Sequence, residues 1–207
     1  MDMNNKSIIA ITGPSGVGKT TLGNKIITNN EIVIPYHCTT RKRRNDDVDG
    51  FYKYLSHEEY SKLFHLRRFL ISCGDSNIIS VENGNFYGVL KEDCIQSWQN
   101  NDIILLFVSY KDIYTLIDLK NKGLTIDIIN LRFHDIKNGV TNRLSNDILR
   151  NHTIEEINKR VYSALNDNNQ YGSIVDKYAK CTIYTDINNE EETYTEVCDK
   201  LKIKIRR

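Results

Sequence analysis

Residues 7–12, Ser-Ile-Ile-Ala-Ile-Thr, form a short apolar run rich in β-branched side chains, as a strand buried on both faces of a parallel sheet requires. After a glycine-rich break the apolar positions Leu22, Ile26 and Ile27 recur at helical spacing, so the period changes from strand to helix across the break. Residues 31–35 predict a short strand stopped by Pro35. Residues 51–55 alternate as a hairpin or edge strand does, and Ser56 with Glu59 has capping-box spacing that opens a helix through Phe64. From Phe69 to Val89 the pattern is β-like and punctuated by glycine, which closes a small lobe. Residues 91–99 predict a helix and 103–108 a second fully buried strand. Ser109 and Asp112 then cap a helix ending near Gly123, and 124–131 predict a third core strand. Helices follow over 135–144 and from Thr153, the latter with apolar positions Ile154, Ile157, Val161 and Leu165. A late strand covers 181–184, and a closing helix 190–202. Strands alternating with helices predict the α/β class, a parallel sheet flanked by helices on both faces, and no internal repeat or low-complexity linker interrupts it.

Length and composition narrow the picture. A chain of 207 residues suits one domain with small inserted lobes. Lysine and arginine nearly cancel aspartate and glutamate, leaving a net charge of +1, so the balance points to neither a nucleic-acid nor a membrane partner and any anion must be held by a local cluster. It says nothing of oligomeric state. The five cysteines show no zinc spacing, the first six residues lack an apolar signal region, and the longest apolar run is strand-sized. Reduced thiols in a cytoplasmic protein are the expectation.

The chemistry starts in the glycine-rich break. Gly13, Pro14, Ser15, Gly16, Val17, Gly18, Lys19 and Thr20, followed by Thr21, fill every position of GxxxxGK[ST] between a strand and a helix. Glycines there let backbone N–H groups cradle phosphate oxygens at the positive end of a helix. Lys19 is then placed for the β- and γ-phosphates, and the Thr20 hydroxyl for Mg²⁺. Downstream, Arg41 and Arg44 are spaced to fork around one phosphate, with Tyr52 and Tyr87 as phenolic partners; the competing reading of 41–44 is a solvated charge run. Arg143, Arg150 and Arg160 taken singly read as surface helix arginines. The five histidines show no metal spacing.

These motifs together resemble the guanylate kinase family over nearly the whole chain. GPSGVGKTTL matches its phosphate loop, TTRKRRNDDVDGFYKY resembles SHTTRxxRxGExxGxxYxF, GNFYGV resembles GNYYGT, and INKRV is similar to its arginine-bearing helix. The resemblance implies a P-loop kinase core at 1–35, 91–142 and 160–207, an acceptor-binding lobe at 36–90 and a helical lid at about 143–159. It implies transfer of the γ-phosphoryl of Mg-ATP to a small-molecule acceptor resembling GMP or dGMP. Arg41, Arg44, Tyr52 and Tyr87 would hold the acceptor phosphate, with Lys19, Arg143, Arg150 and Arg160 as catalytic groups. Asp186 falls where the family's adenine-side loop reads NDD.

Departures from the pattern keep alternatives open. His37 stands where the family has a nucleotide-contacting serine, and Asp47 where it has an acceptor-site glutamate. Ile71 takes the place of a base-reading carboxylate, for which Glu82 is a candidate substitute, and Val89 that of a hydroxyl. Leu106 and Val108 take the places of the acids in ILDID. A base edge without its paired groups is weakly discriminated. A kinase of the same fold for ribose 1,5-bisphosphate, and a non-catalytic guanylate-kinase-like binding module, therefore stand beside the nucleotide kinase.

Overall fold

A computed structural model describes residues 6–29, 31–44, 47, 49–73, 84–147, 152–186 and 189–203. The N-terminal apolar run is β1 (Ser7–Thr12) and the helix beyond the glycine-rich loop is α1 (Lys19–Asn29). Next come β2 (Ile32–Val33), β3 (His37–Thr39), β4 (Tyr52–Tyr54), α2 (His57–His65), β5 (Phe69–Cys73) and β6 (Tyr87–Leu90). The second half holds α3 (Lys91–Asn100), β7 (Ile103–Phe107), α4 (Ile113–Asn121), β8 (Thr125–Arg132), α5 (Ile136–Ser145), α6 (Ile154–Tyr178), β9 (Cys181–Tyr184) and α7 (Glu190–Leu201). Ser109 and Asp112 form the expected capping box, which starts a 3-10 turn (Tyr110–Asp112) running into α4.

The main sheet is parallel throughout, in the order β2-β7-β1-β8-β9. Its strands read as continuous apolar runs because both faces are covered. Ile9, Ile11, Leu105, Ile129 and Leu131 face a core completed by α1, α5, α7 and the first half of α6. Ile8, Ala10, Ile104, Leu106, Ile126 and Ile128 face the other side, against α3 and α4. Parallel pairing brings the C-terminal ends of β1, β7 and β8 to one edge, and the phosphate-type loop opens there.

A second sheet, β4-β3-β6-β5, carries the smaller lobe. Tyr60 of α2 stacks between Phe69 and Phe86, at centroid distances of 4.5 and 5.3 Å, and seals its core with Cys38 and Leu90. The hairpin-or-edge expectation for 51–55 resolves as an edge strand that runs parallel to β3. The connection through 40–51 is about as long as a parallel crossover needs.

α6 departs further from expectation. It extends to Tyr178 and buries Ile157, Val161, Ala164 and Val175, whereas Ile154 is 79% exposed and Leu165 lies at the margin. Its C-terminal half is fastened to the sheet by polar groups. Asp176 accepts from Asn130 (2.8 Å), Arg132 (2.5 Å) and Thr182 (3.0 Å), and the Tyr110 hydroxyl donates to Asn130 Oδ1 at 2.8 Å. Among the described residues no helix is long and apolar enough to cross a membrane.

Ile129 sits at the centre of the sheet with no exposed surface. Ile129→Ala removes three buried carbons and leaves a cavity, so it should cost about 2–5 kcal/mol, read as a lower urea midpoint with an unchanged slope.

Candidate active site

The loop 13–20 owes its shape to close packing and to backbone torsion. Gly13 has φ +143°, and a Cβ on it would stand 2.3 Å from the Leu131 carbonyl oxygen, so the loop rests directly on the end of β8. Gly18 has open space around it, but its φ of +97° is one that side-chain-bearing residues rarely adopt. Lys19 donates from Nζ to the carbonyls of Gly13 (2.7 Å) and Pro14 (2.8 Å), bracing the loop from within. Thr20 and Thr21 are exposed on the first turn of α1. Arg160 Nη1 donates to Ser15 Oγ at 2.9 Å, which fastens α6 across the loop.

Two adjoining cavities open from this loop. One, of about 430 Å³, runs past Gly13, Pro14 and Lys19 to His37, Phe107, Val108, Ser109 and Tyr110, with Arg160, Ser163 and Asp167 of α6 opposite. The other, of about 530 Å³, is bounded by residues 15–21 and by Arg41, Arg44, Asp47, Phe51, Asn85 and Asp147. Ser15, Lys19, Thr20, Tyr52, Tyr87 and Arg160 line both. The loop and the basic stretch, far apart in sequence, thus face one another across a single cleft.

Within the basic stretch the two arginines differ. Arg41 is buried and its guanidinium meets Asp47 with two bonds of 2.6 Å. It also lies over the Tyr52 ring, 4.7 Å from the centroid. Asp47 accepts further from the Arg44 backbone N–H (2.8 Å) and the Tyr54 hydroxyl (2.6 Å). The Arg41 pair holds the Asp47 carboxyl well below the usual carboxylate range and holds Arg41 above its own. The pair is therefore ionised at every working pH and holds Arg41 and Asp47 together. Arg44, half-buried, presents its side chain to the cavity wall.

His37 is placed at the cleft but not as a polar contact. Its Nδ1 stands 3.0 Å from the Pro35 carbonyl, and its Nε2 accepts from the Phe107 N–H at 3.2 Å, so both ring nitrogens are engaged within the fold. The ring stacks on Phe51 at 5.3 Å. Burial pushes its pKa down to about 4, keeping it neutral.

Arg143, in the last turn of α5, flanks the loop near Gly16 and lines a small cavity of about 40 Å³ with Val17, Thr21, Leu131 and Thr185. Asp186 beyond it accepts from the His134 backbone at 2.9 Å, and His134 stacks on Tyr184 at 4.0 Å. Arg150 and Glu82 lie outside the described residues. Ile71, Val89, Leu106 and Val108, the four apolar departures, come together in one buried cluster. Asp167, Ser109 and Tyr110 were not among the expected site residues. Asp167 is seven positions from Arg160 and so on the same helix face, a signal present in the spacing.

The family model of guanylate kinase matches residues 5–177. The chain belongs to the guanylate kinase family. A guanylate kinase of Mesomycoplasma hyopneumoniae is 29% identical over 174 residues, covering 79% of this chain and 81% of that one. A guanylate kinase of Clostridium tetani is 23% identical over 97% of this chain and 88% of its own length. Among solved structures, guanylate kinase from Anaplasma phagocytophilum superposes with a TM-score of 0.62 at 16% identity, covering all of this chain and 90% of that one. A tunicamycin resistance protein of Deinococcus radiodurans shares the fold at a TM-score of 0.52 and 16% identity, covering 98% and 99% of the two chains. Guanylate kinases are nucleoside monophosphate kinases, the class of enzyme into which the chain falls.

The neutral His37 makes stability depend on acid. The unfolded chain takes up this proton near pH 6.5 and the folded protein only near 4, so stability falls as pH drops through 6.5 and the loss levels off below about 4. Between pH 7 and 5 this one group should contribute a loss of about 2 kcal/mol. Urea midpoints at the two pH values should show a distinctly smaller difference for His37→Gln than for the wild type.

Proposed function

We propose that the protein transfers the γ-phosphoryl group of ATP, with Mg²⁺, to the phosphate of a nucleoside monophosphate, GMP or dGMP, giving the diphosphate and ADP. One observation carries this reading: the complete phosphate loop with Lys19 and Thr20 shares a cleft with Arg44, Tyr52 and Tyr87, which suit an acceptor phosphate. Both ligands are soluble nucleotides, and the proposal sets the enzyme in the cytoplasm.

The residues fit the donor. The glycine backbone and the first turn of α1 supply N–H groups, and Lys19 exchanges its two carbonyl partners for phosphate oxygens. Among the described residues no cluster of three His, Cys, Asp or Glu suits a metal. The Thr20 hydroxyl is a ligand this chain offers, and phosphate and water would complete the shell. Mg²⁺, when bound, neutralises charge on the β- and γ-phosphates.

On the acceptor side Arg44, Tyr52 and Tyr87 grip the phosphate, and Arg41, paired with Asp47, braces that wall. His37 serves as apolar wall. Arg143 and Arg160 flank the phosphate loop from two sides, where charge develops during transfer. We assign 36–90 as the acceptor lobe and about 143–159, including Arg150, as a lid whose closure excludes water. The apolar cluster of Ile71, Val89, Leu106 and Val108 favours a second reading, an acceptor without a purine such as ribose 1,5-bisphosphate. The intact Lys19 and Thr20 speak against a purely binding module.

Coupled ADP release with Mg-ATP and GMP, dGMP, AMP, UMP, CMP or ribose 1,5-bisphosphate decides among these; GMP and dGMP should turn over fastest, and silence with every acceptor sinks both enzyme readings. Lys19→Ala should abolish turnover while leaving acceptor binding measurable. Arg44→Ala should weaken acceptor binding by about 2–3 kcal/mol with ATP affinity unchanged, as read by calorimetry, the loss of one charge-assisted contact.

A further inference from the structure

The cleft is unequal in its two walls. Beyond the phosphate loop, the wall built from β5, β6 and β7 is apolar: Ile71, Val89 and Leu106 are buried, and Val108 and Phe107 line the cavity. The polar atoms nearest that wall are already engaged. His37 has both ring nitrogens bonded within the fold, and the Tyr110 hydroxyl donates to Asn130. Among the described residues no charged side chain of β5, β6 or β7 lines this cavity.

The α6 wall is different. Arg160, Ser163, Ala164 and Asp167 all line the cavity, at spacings of three, four and seven, so they form one stripe of the helix. Asp167 stands two turns from Arg160, about 10 Å along the axis at 1.5 Å per residue. That separates it from the phosphate end by the reach of a nucleoside. It is the one carboxylate among the described residues lining this cavity. Its side chain is 21% exposed, and its Oδ1 is sealed from solvent without a hydrogen-bond partner among the described residues. Lys111 Nζ stands 3.7 Å from that oxygen, too far for a hydrogen bond and near enough to support the negative charge. Burial pushes the carboxyl above its usual range, opposed by Lys111. A carboxylate on the cavity wall whose inner oxygen has bonding capacity left over gains by turning toward N–H donors that enter the cavity.

We infer that Asp167 is the specificity-determining group for the acceptor base, its carboxylate turning about χ2 to take the adjacent N–H donors of a guanine-type purine. This rests on the nucleotide reading proposed above. Guanine presents its ring N1–H and its exocyclic amine side by side, matching a carboxylate; hypoxanthine keeps only the ring donor, and adenine lacks the pair. Asp167 thereby supplies from α6 the discrimination that the opposite wall lacks.

The test is steady-state kinetics of the wild type and Asp167→Asn with GMP, IMP, AMP, 1-methyl-GMP and ribose 1,5-bisphosphate, with melting temperatures alongside. The wild type should prefer GMP to IMP and IMP to AMP, and should reject 1-methyl-GMP. Asp167→Asn should lose about 100-fold in kcat/KM for GMP, chiefly through KM, the scale of a charged hydrogen bond or two. Its KM for ATP should stay within twofold and its use of AMP should not fall. Wild-type GMP kinetics in Asp167→Asn, or equal loss with every acceptor and with ATP, overturns the role of Asp167 and leaves the kinase reading standing. If the variant does not fold, the wild type alone still tests the idea, since equal turnover of GMP and 1-methyl-GMP overturns it. Turnover of ribose 1,5-bisphosphate with no purine nucleotide used overturns both this inference and the nucleotide reading.

Discussion

The approach of Gly13 to the Leu131 carbonyl governs the geometry of the site. The phosphate loop lies so close against the end of β8 that it cannot accept a side chain at that point. The pairing of β1 with both β7 and β8 then fixes everything that leaves those strands at the same edge. From β7 come Phe107, Val108 and the Ser109 cap. From β8 comes the chain leading to α5 and Arg143. α6 returns across the loop and is tied to it through Arg160 and Ser15. Phosphate loop, aromatic wall and arginines are held relative to one backbone contact, which is how a rigid scaffold achieves positioning without covalent chemistry.

The smaller lobe solves a different problem, the storage of positive charge in a partly buried place. Four basic residues in succession repel one another. Asp47 answers this by taking two bonds from Arg41, one from the Arg44 backbone and one from Tyr54. Residues 41, 44, 47 and 54 are drawn together, one cation is neutralised, and Arg44 is left toward the cavity. A pair this enclosed contributes order more than stability, since the cost of removing both ions from water offsets most of their attraction.

Much of this was legible in the sequence because it is local. The strand, loop and helix from Ser7 to Asn29 carry their own periodicities, and the capping boxes at Ser56, Ser109 and Thr153 lie where their spacing says. The family resemblance was legible for the same reason, through motifs short enough to read. What escaped was non-local. His37–Thr39 is a strand because β4 and β6 pair with it, and three residues carry no period. The buried face of α6 is set by the sheet it lies on, which leaves Ile154 in solvent despite its type. The two bonds that Arg41 makes to Asp47, six residues on, likewise leave no mark in the local pattern. The joining of Ile71, Val89, Leu106 and Val108 into one patch appears only when three strands are brought together.

α6 is a rod held at two places. Its C-terminal half is fastened where Asp176 gathers Asn130, Arg132 and Thr182, and its other half carries Arg160 over the phosphate loop. Between Asp176 and Arg160 the helix runs about 24 Å. A tilt of about one degree at the clamp therefore displaces the guanidinium by about 0.4 Å, close to the whole tolerance of a productive site. The aim of the Arg160 end is thus set in part at the far edge of the sheet, by a hydrogen-bonded joint remote from the cleft.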